Sequence, residues 1–149
     1  MSILQGATTS FKVQLLQAVH NFGPTSPDTF KIALYTASAD INASTTAYST
    51  TNEVTGTGYT AGGNTLTIST SPTSGNNSSN IPTAYISFAN TSWTSASFTA
   101  RAALIYNDTV AGNPSVAVLD FGSDKTVSND TFQIIFPTPD ANSAIVRIS

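Results

Sequence analysis

The chain has no cysteine among its 149 residues, which excludes disulfides and thiolate metal sites. Charge is also scarce, since Asp, Glu, Lys and Arg together make up 9% of the residues, against about 25% in an average globular protein. No run approaches the roughly 18 consecutive apolar residues of a membrane-spanning helix. The first residues carry no basic segment followed by an apolar run, so neither a secretory signal nor a membrane partner is expected.

Basic residues are few and scattered. The chain has eight acidic and five basic residues, which gives a net charge of −3 and a pI of about 4.6. A nucleic-acid-binding surface needs clustered Lys and Arg to displace counterions from phosphates. The spacing of the basic residues therefore argues against a nucleic-acid partner: Lys12, Lys31, Arg101, Lys125 and Arg147.

Groups for acid–base catalysis are almost as scarce. His20 is the only histidine and Glu53 the only glutamate. We interpret His20 as structural, because it falls near the end of a predicted helix, where the exposed carbonyls favour a cation. No serine lies in a nucleophile-elbow sequence, and no pair of carboxylates stands out as in glycosidases. The sequence therefore predicts a protein that is not an enzyme, with no catalytic, cofactor-binding or metal-binding residue assigned.

Three aspartates, Asp120, Asp124 and Asp130, fall within eleven residues, with Asn129 beside the last of them. Calcium takes six to eight oxygen ligands, which clustered Asp and Asn in β-turns are able to supply. The spacing matches no EF-hand, so we interpret the three as solvated turn residues. Whether they hold a cation stays open at this stage.

Ser and Thr replace the missing charged residues and make up about 30% of the chain, while 40% of the residues are hydrophobic. Disorder needs low hydrophobicity combined with high net charge, so the chain is expected to fold. A chain of this length buries roughly 70% of its unfolded surface and holds a core without cross-links. We expect a single domain over residues 1–149.

One segment has helical periodicity, and it lies near the N-terminus. Apolar residues at helical spacing predict a helix from Ser10 to Phe22, with Thr9 or Ser10 as its N-cap. Gly23 and Pro24 are expected to end it. The apolar stripe that should face a sheet consists of Phe11, Leu15, Val19 and Phe22.

After Pro27 the chain alternates between short β-branched or aromatic runs and turn clusters. This pattern predicts an all-β fold. We expect an antiparallel, jelly-roll-like β-sandwich over residues 28–149, and an N-terminal arm with one short helix over residues 1–27. Two long loops are expected, Ala37 to Gly62 and Ser71 to Pro82, and the first should be anchored by Tyr48, Val54 and Tyr59. The predicted strands are Thr29–Thr36, Asn64–Thr70, Thr83–Ala89, Ser95–Asn107, Ser115–Phe121, Thr131–Phe136 and Ser143–Ile148, and the longest should place Phe98, Ala100, Ala102, Leu104 and Tyr106 on one face.

Several segments together resemble a family of small structural proteins of tailed bacteriophages. Each is ordinary strand-and-turn sequence, and their order and spacing over most of the chain carry the resemblance. They are FKVQLLQAVHNF (11–22), DTFKIALYT (28–36), TTNEVTGTGYTAGGNTLT (50–67), ARAALIYND (100–108) and VAVLDFGSDKTVSNDTFQIIFP (116–137). The resemblance implies a non-enzymatic component of the virion, assembled in the host cytoplasm, and it carries over no site residues.

Within the virion, the first hypothesis is a capsid decoration or cement protein that binds the major capsid protein on the outside of the shell. An acidic balance suits the exterior, because proteins that face packaged DNA tend to be basic. The alternative is a tail, neck or fibre module, with Trp93 and loop tyrosines as a host-glycan platform, although a core tryptophan is the preferred interpretation of Trp93. An enzyme such as a depolymerase is the least favoured.

The scarcity of lysine bears on assembly. Sheet edges are usually protected by charge, especially lysine, and the chain has three lysines. We therefore expect the long loops or neighbouring subunits to cover the edges, and we expect a homo-oligomer.

Overall fold

A computed structural model describes residues 2–149. In that range one helix and eight strands follow each other as β1 (Gly6–Ala7), α1 (Thr9–Leu16), β2 (Phe30–Tyr35), β3 (Asn64–Leu66), β4 (Ile68–Asn76), β5 (Pro82–Phe88), β6 (Thr91–Asn107), β7 (Ser115–Ile134) and β8 (Val146–Ile148). One sheet has the order β1-β7-β6-β2-β3 and the other the order β4-β5-β8. All pairs are antiparallel, so the prediction of an all-β sandwich with one short helix is confirmed.

The main core lies between the two sheets and is rich in phenylalanine. The rings of Phe22 and Phe30 stack with their centroids 4.3 Å apart, and Phe88 of β5 packs against Phe30 at 5.9 Å. Phe11 joins them from α1 and is 2% exposed. The helix therefore lies over this end of the sandwich, as its apolar residues predict.

The five-stranded sheet is also buried on its second face. There a smaller cluster joins residues of β2, β6 and β7 to Ala39 and Ile41 of the following loop, with Ile3 and Tyr48 packed against it. Loop and N-terminal arm thus act as a partial third layer over the sheet. This explains why residues 32–35 of β2 and residues 102–106 of β6 are apolar and buried without interruption.

The helix is shorter than predicted. It spans Thr9–Leu16, and its N-cap is Thr8, whose hydroxyl accepts a hydrogen bond from the Phe11 amide at 3.4 Å. The predicted range and both predicted caps are therefore wrong. The chain turns at Ala18, which has a φ of 56°, well before Gly23. This early turn brings Phe22 back onto the core.

The predicted strands are present, but their limits and connections differ. The run Asn64–Thr70 is divided between β3 and β4, which belong to different sheets. The predicted loop Ser71–Pro82 is wrong, because β4 continues to Asn76 and forms a hairpin with β5. The two runs Ser115–Phe121 and Thr131–Phe136 are parts of one long strand, β7.

Bulges explain how a predicted turn lies inside β7. The cluster Gly122-Ser123-Asp124 is extra chain between the pairs Ala102↔Asp120 and Ala100↔Lys125. Gly122 has a φ of 76°, which glycine adopts without strain. The predicted turn residues therefore form a bulge within β7 and do not reverse the direction of the chain.

The same irregularity divides one predicted face of β6. Phe98 and Ala100 belong to the core between the sheets, whereas Ala102, Leu104 and Tyr106 belong to the cluster on the opposite face. The prediction that these five share one face is therefore wrong. A register shift between Ala100 and Ala102 moves the following side chains of this series to the opposite face of the sheet.

In the described range, no helix is long and apolar enough to cross a membrane.

Candidate functional site

His20 lies beyond the helix and is buried, at 8% exposure, among the phenylalanines of the core. Its Nδ1 is 3.1 Å from the Asn107 amide nitrogen, which donates, so Nε2 carries the proton and donates to Gln14 Oε1 at 2.9 Å. Burial lowers the pKa of His20, and the nearby Asp28 carboxylate opposes that shift. The structural interpretation of His20 is supported, but the expected cation at a helix end is wrong, because the buried ring is held neutral.

Glu53 is the centre of a polar network that fixes the first long loop. Its carboxylate accepts hydrogen bonds from the Tyr48 hydroxyl, the Tyr59 hydroxyl and the Gly62 amide, each at 2.7 Å. The Tyr59 oxygen in turn accepts the Leu34 amide of β2 at 2.9 Å. These bonds join the loop to the sheet, so the only glutamate of the chain is occupied structurally.

The tyrosines of this loop region face inward. Burial is the main reason why the pKa of Tyr48 rises to about 12, with the Glu53 carboxylate adding to the effect. Burial likewise raises the pKa of Tyr35, Tyr59 and Tyr106. Tyr48, Val54 and Tyr59 anchor the loop as predicted: Val54 is buried, and the two half-buried tyrosines direct their hydroxyls to Glu53.

Trp93 is a core residue, with 4% exposure, and it packs against Tyr59, Phe98 and Phe132. Its indole nitrogen has no hydrogen-bond partner. The preferred interpretation of Trp93 is confirmed. Trp93 therefore offers no exposed ring to a glycan, whereas Tyr48 and Tyr59 are half-buried.

The three aspartates do not converge on one point. Asp120 accepts from the Gly122 amide at 2.8 Å and from Arg101 Nε at 3.3 Å, and these contacts lower its pKa. The exposed Asp130 accepts the Thr131 amide at 2.7 Å. Among residues 2–149, no group of three or more His, Cys, Asp or Glu side chains is placed to hold a metal ion.

The most accessible feature of the backbone is the outer edge of β7. Among residues 2–149, the short β1 pairs with β7 only at Ala117 and Val118, and the strand then runs on to Ile134 without a partner on that side. A groove of about 720 Å³ follows this edge, between Phe121 and Ile135. Ile135 is 71% exposed there. Sequence reasoning gave no signal for this edge, because it depends on which strands pair.

A second accessible feature is the apolar face formed by the N-terminal arm, α1 and β8. A groove of about 500 Å³ runs between α1 and β8, with Phe11 and Leu15 on one side and Val146 on the other, and it is flanked by Lys12 and Arg147. These elements carry four of the six exposed large hydrophobic side chains of the described residues: Leu4, Val13, Leu16 and Ile148. We call this surface the arm–helix face.

The two accessible surfaces offer contacts and little reactive chemistry. Neither contains a histidine, and the groove along β7 carries Asp124, Lys125 and Asp130 as its charged groups. Comparison of the chain with protein-family models, curated proteins and solved structures gives no match in any of the three.

Proposed function

We propose that this chain is a non-enzymatic structural protein of a tailed-phage virion, bound to the major capsid protein on the outside of the shell. The observation that supports the proposal best is the arm–helix face. Leu16 is 92% exposed on α1, whose Phe11 and Leu15 line the groove towards β8, and Leu4 is 61% exposed on the preceding arm. We interpret this concentration of exposed apolar side chains as a site of protein–protein contact.

The remaining chemistry of the chain agrees with a role in assembly. The only histidine and the only glutamate have structural partners inside the protein. A protein that strengthens a shell needs permanent contacts repeated many times, and a reactive site adds nothing to that task. The acidic balance suits the outer surface, away from packaged DNA.

The test compares phage particles that lack this protein with complete particles during heating. Particles without it should release their DNA at a lower temperature, measured with an external dye, and added purified protein should restore the complete-particle value. Leu16→Asp should fail to restore it, since a charge would enter the apolar contact. Leu16 is almost fully exposed, so the variant should still fold.

Thr55→Asp is the matched control, because it adds the same charge at an exposed position of the first loop. It should restore heat stability like the unchanged protein. If Leu16→Asp restores stability as well, the arm–helix face is not the docking surface. If particles without the protein are equally heat-stable but fail to adsorb to cells, the tail, neck or fibre alternative replaces the capsid role.

A further inference from the structure

We propose that two copies of this chain pair through the free edge of β7, antiparallel and centred on Val127, so that Lys125 of each copy meets Asp130 of the other. The inference concerns a surface other than the arm–helix face, and it does not rest on the virion role. The occupant of the edge is a second copy, which matches this strand in register and in charge.

The outer edge of β7 beyond Val118 is free within residues 2–149. On the other side of the sheet, the first loop covers the exposed backbone: the Val54 amide donates to the Leu34 carbonyl at 2.9 Å, and the Ser97 amide donates to the Thr57 carbonyl at 2.9 Å. No comparable segment of residues 2–149 pairs with the outer side of β7 beyond Val118. A row of unpaired backbone groups on a strand is a template for pairing with another chain.

The twofold symmetry of the proposed pair determines the register between the two copies of β7. A twofold axis perpendicular to an antiparallel pair requires that the central residue face its own copy. With Val127 at the centre, Thr126 of one copy lies opposite Ser128 of the other. Asn129, with a φ of 49°, is the extra residue of a bulge, because β6 advances by two residues from Phe98 to Ala96 while β7 advances by three from Val127 to Asp130. The bulge therefore places Lys125 opposite Asp130.

Lys125 and Asp130, which lie opposite each other in this pairing, are on the same face of the sheet. Lys125 pairs with Ala100 of β6, and Asp130 pairs with Ala96. Both alanines belong to the core between the sheets, so Lys125 and Asp130 leave the sheet on the same side. Residues directly opposite on one face of an antiparallel pair are close enough to interact, and opposite charges there are favourable. The twofold symmetry makes this ion pair twice.

Within residues 2–149, neither Lys125 nor Asp130 forms a salt bridge. Lys125 donates to the Ser123 hydroxyl at 2.9 Å, and Asp130 accepts the adjacent Thr131 amide. In the described residues, the two salt bridges involve other side chains, Lys31 with Asp108 and Arg101 with Asp120. Lys125 and Asp130 are exposed and free to meet opposite charges from a second copy.

Apolar side chains extend the contact beyond the backbone. Phe121, Phe132 and Ile135 line the groove beside the edge, and the ring centroids of Phe121 and Phe132 lie 6.1 Å apart within one copy. The same symmetric surface thus supplies backbone hydrogen bonds, two ion pairs and apolar cover. The resulting sheet is continuous across both copies.

The experiment measures the mass of the full-length protein by light scattering after size exclusion, over a range of concentrations. The unchanged protein should form a dimer. Lys125→Asp and Asp130→Lys should each weaken the dimer about tenfold or more, because each replaces two attractive pairs with two repulsive ones. The double variant Lys125→Asp/Asp130→Lys should restore the dimer, since the charges are exchanged and complementary again.

Lys12→Asp is the control for the change in net charge, because Lys12 is exposed on α1, away from the edge, and this variant should remain dimeric. Restoration by the double variant also shows that neither substitution in itself prevents folding. A protein that is monomeric at all concentrations overturns the proposal, and so does a dimer that is indifferent to the single charge reversals. The first outcome means that the charges only protect the edge from pairing.

A crosslink tests the register separately. The chain contains no cysteine, so Thr126→Cys/Ser128→Cys introduces the only two thiols, and both positions are exposed. Under mild oxidation the double variant should form covalent dimers, since residue 126 lies opposite residue 128 of the other copy. Each single variant should crosslink far less, because equivalent residues lie two positions apart. Efficient crosslinking of either single variant contradicts the register centred on Val127.

Discussion

Glu53 is a buried carboxylate with three short hydrogen bonds and no basic side chain bound to it. A buried charge is tolerated only when its lone pairs are occupied, and here two hydroxyls and one amide occupy them. Since two of the donors are Tyr48 and Tyr59, the network stabilises the first loop and the edge of β2 together. At the residue scale, this contact links the loop most directly to the sheet.

Replacement of Glu53 by Gln should lower the free energy of unfolding by about 1–3 kcal/mol, because the amide group presents a donor where an acceptor is needed. The measurement is urea unfolding with an unchanged slope, which assigns the shift in midpoint to stability. Asp40→Asn is the control, since Asp40 is exposed and should change stability by less than about 0.5 kcal/mol. Equal effects of the two variants contradict the role given to Glu53.

His20 should make the protein less stable in mild acid. Burial lowers its pKa in the folded state, so the unfolded chain binds a proton more readily. Its contribution is complete above its ordinary pKa of about 6.5 and is lost as the pH falls below that value. Melting temperatures between pH 7.5 and 5.5 should fall more for the unchanged protein than for His20→Gln. The same slope in both proteins would mean that other groups cause it.

At the scale of elements, the first loop behaves as part of the sheet although it contains no strand of its own. It makes isolated bridges to Tyr35 through Glu53 and to Ser97 through Thr57, and it returns to the sheet at Gly63. Gly63 has a φ of 70°, and a Cβ at this position would lie 1.8 Å from the Ile32 carbonyl oxygen. The loop can enter β3 this closely only with glycine there.

Gly63→Ala should therefore destabilise the protein by about 3 kcal/mol or more, through backbone strain and a clash with β2. Gly112→Ala is the matched control. Gly112 also has a positive φ, of 85°, but a Cβ there meets nothing within 4 Å, so its cost should be about 1 kcal/mol of strain alone. Thermal or urea unfolding of both variants gives the comparison. Equal losses in the two would show that the close approach to Ile32 contributes nothing.

At the scale of the whole molecule, the protein is a sandwich whose few charges are mostly used locally. Asp28 holds the chain at Asn21 and Asn107, and Asp140 caps the turn at Asn142 and Ser143. Accessible apolar surface is concentrated at the arm–helix face and beside β7. If both proposed contacts form, each copy has more than one neighbour, which a lattice of repeated contacts requires.

Stability should be independent of divalent metals. Asp120 is held by Gly122 and Arg101, and the Asp130 carboxylate is held by its own backbone neighbour. Addition of a chelator should leave the melting temperature unchanged within about 1 °C, because the three carboxylates do not converge on a common ion position. A fall of several degrees, reversed by calcium, would show that Asp120, Asp124 and Asp130 hold a cation after all.

Much of the fold class could be read from the sequence, because it depends on local patterns. Alternating apolar residues in Thr29–Thr36 and Thr83–Ala89 predict β2 and β5 to within about a residue at each end. The aromatic residues Tyr48 and Tyr59 predict an anchored loop, since large apolar groups in a loop need cover. Composition alone predicts a folded chain with one domain and little acid–base chemistry.

Only the tertiary structure decided where helix α1 stops, which face Ala100 and Ala102 take, and which edge stays free. The helix ends at Leu16, and the turn at Ala18 that follows lets Phe22 stack on Phe30. The turn-like Gly122-Ser123-Asp124 becomes a bulge because β6 supplies partners on both sides of it. These outcomes depend on pairing between residues far apart in the chain, which local periodicity does not encode.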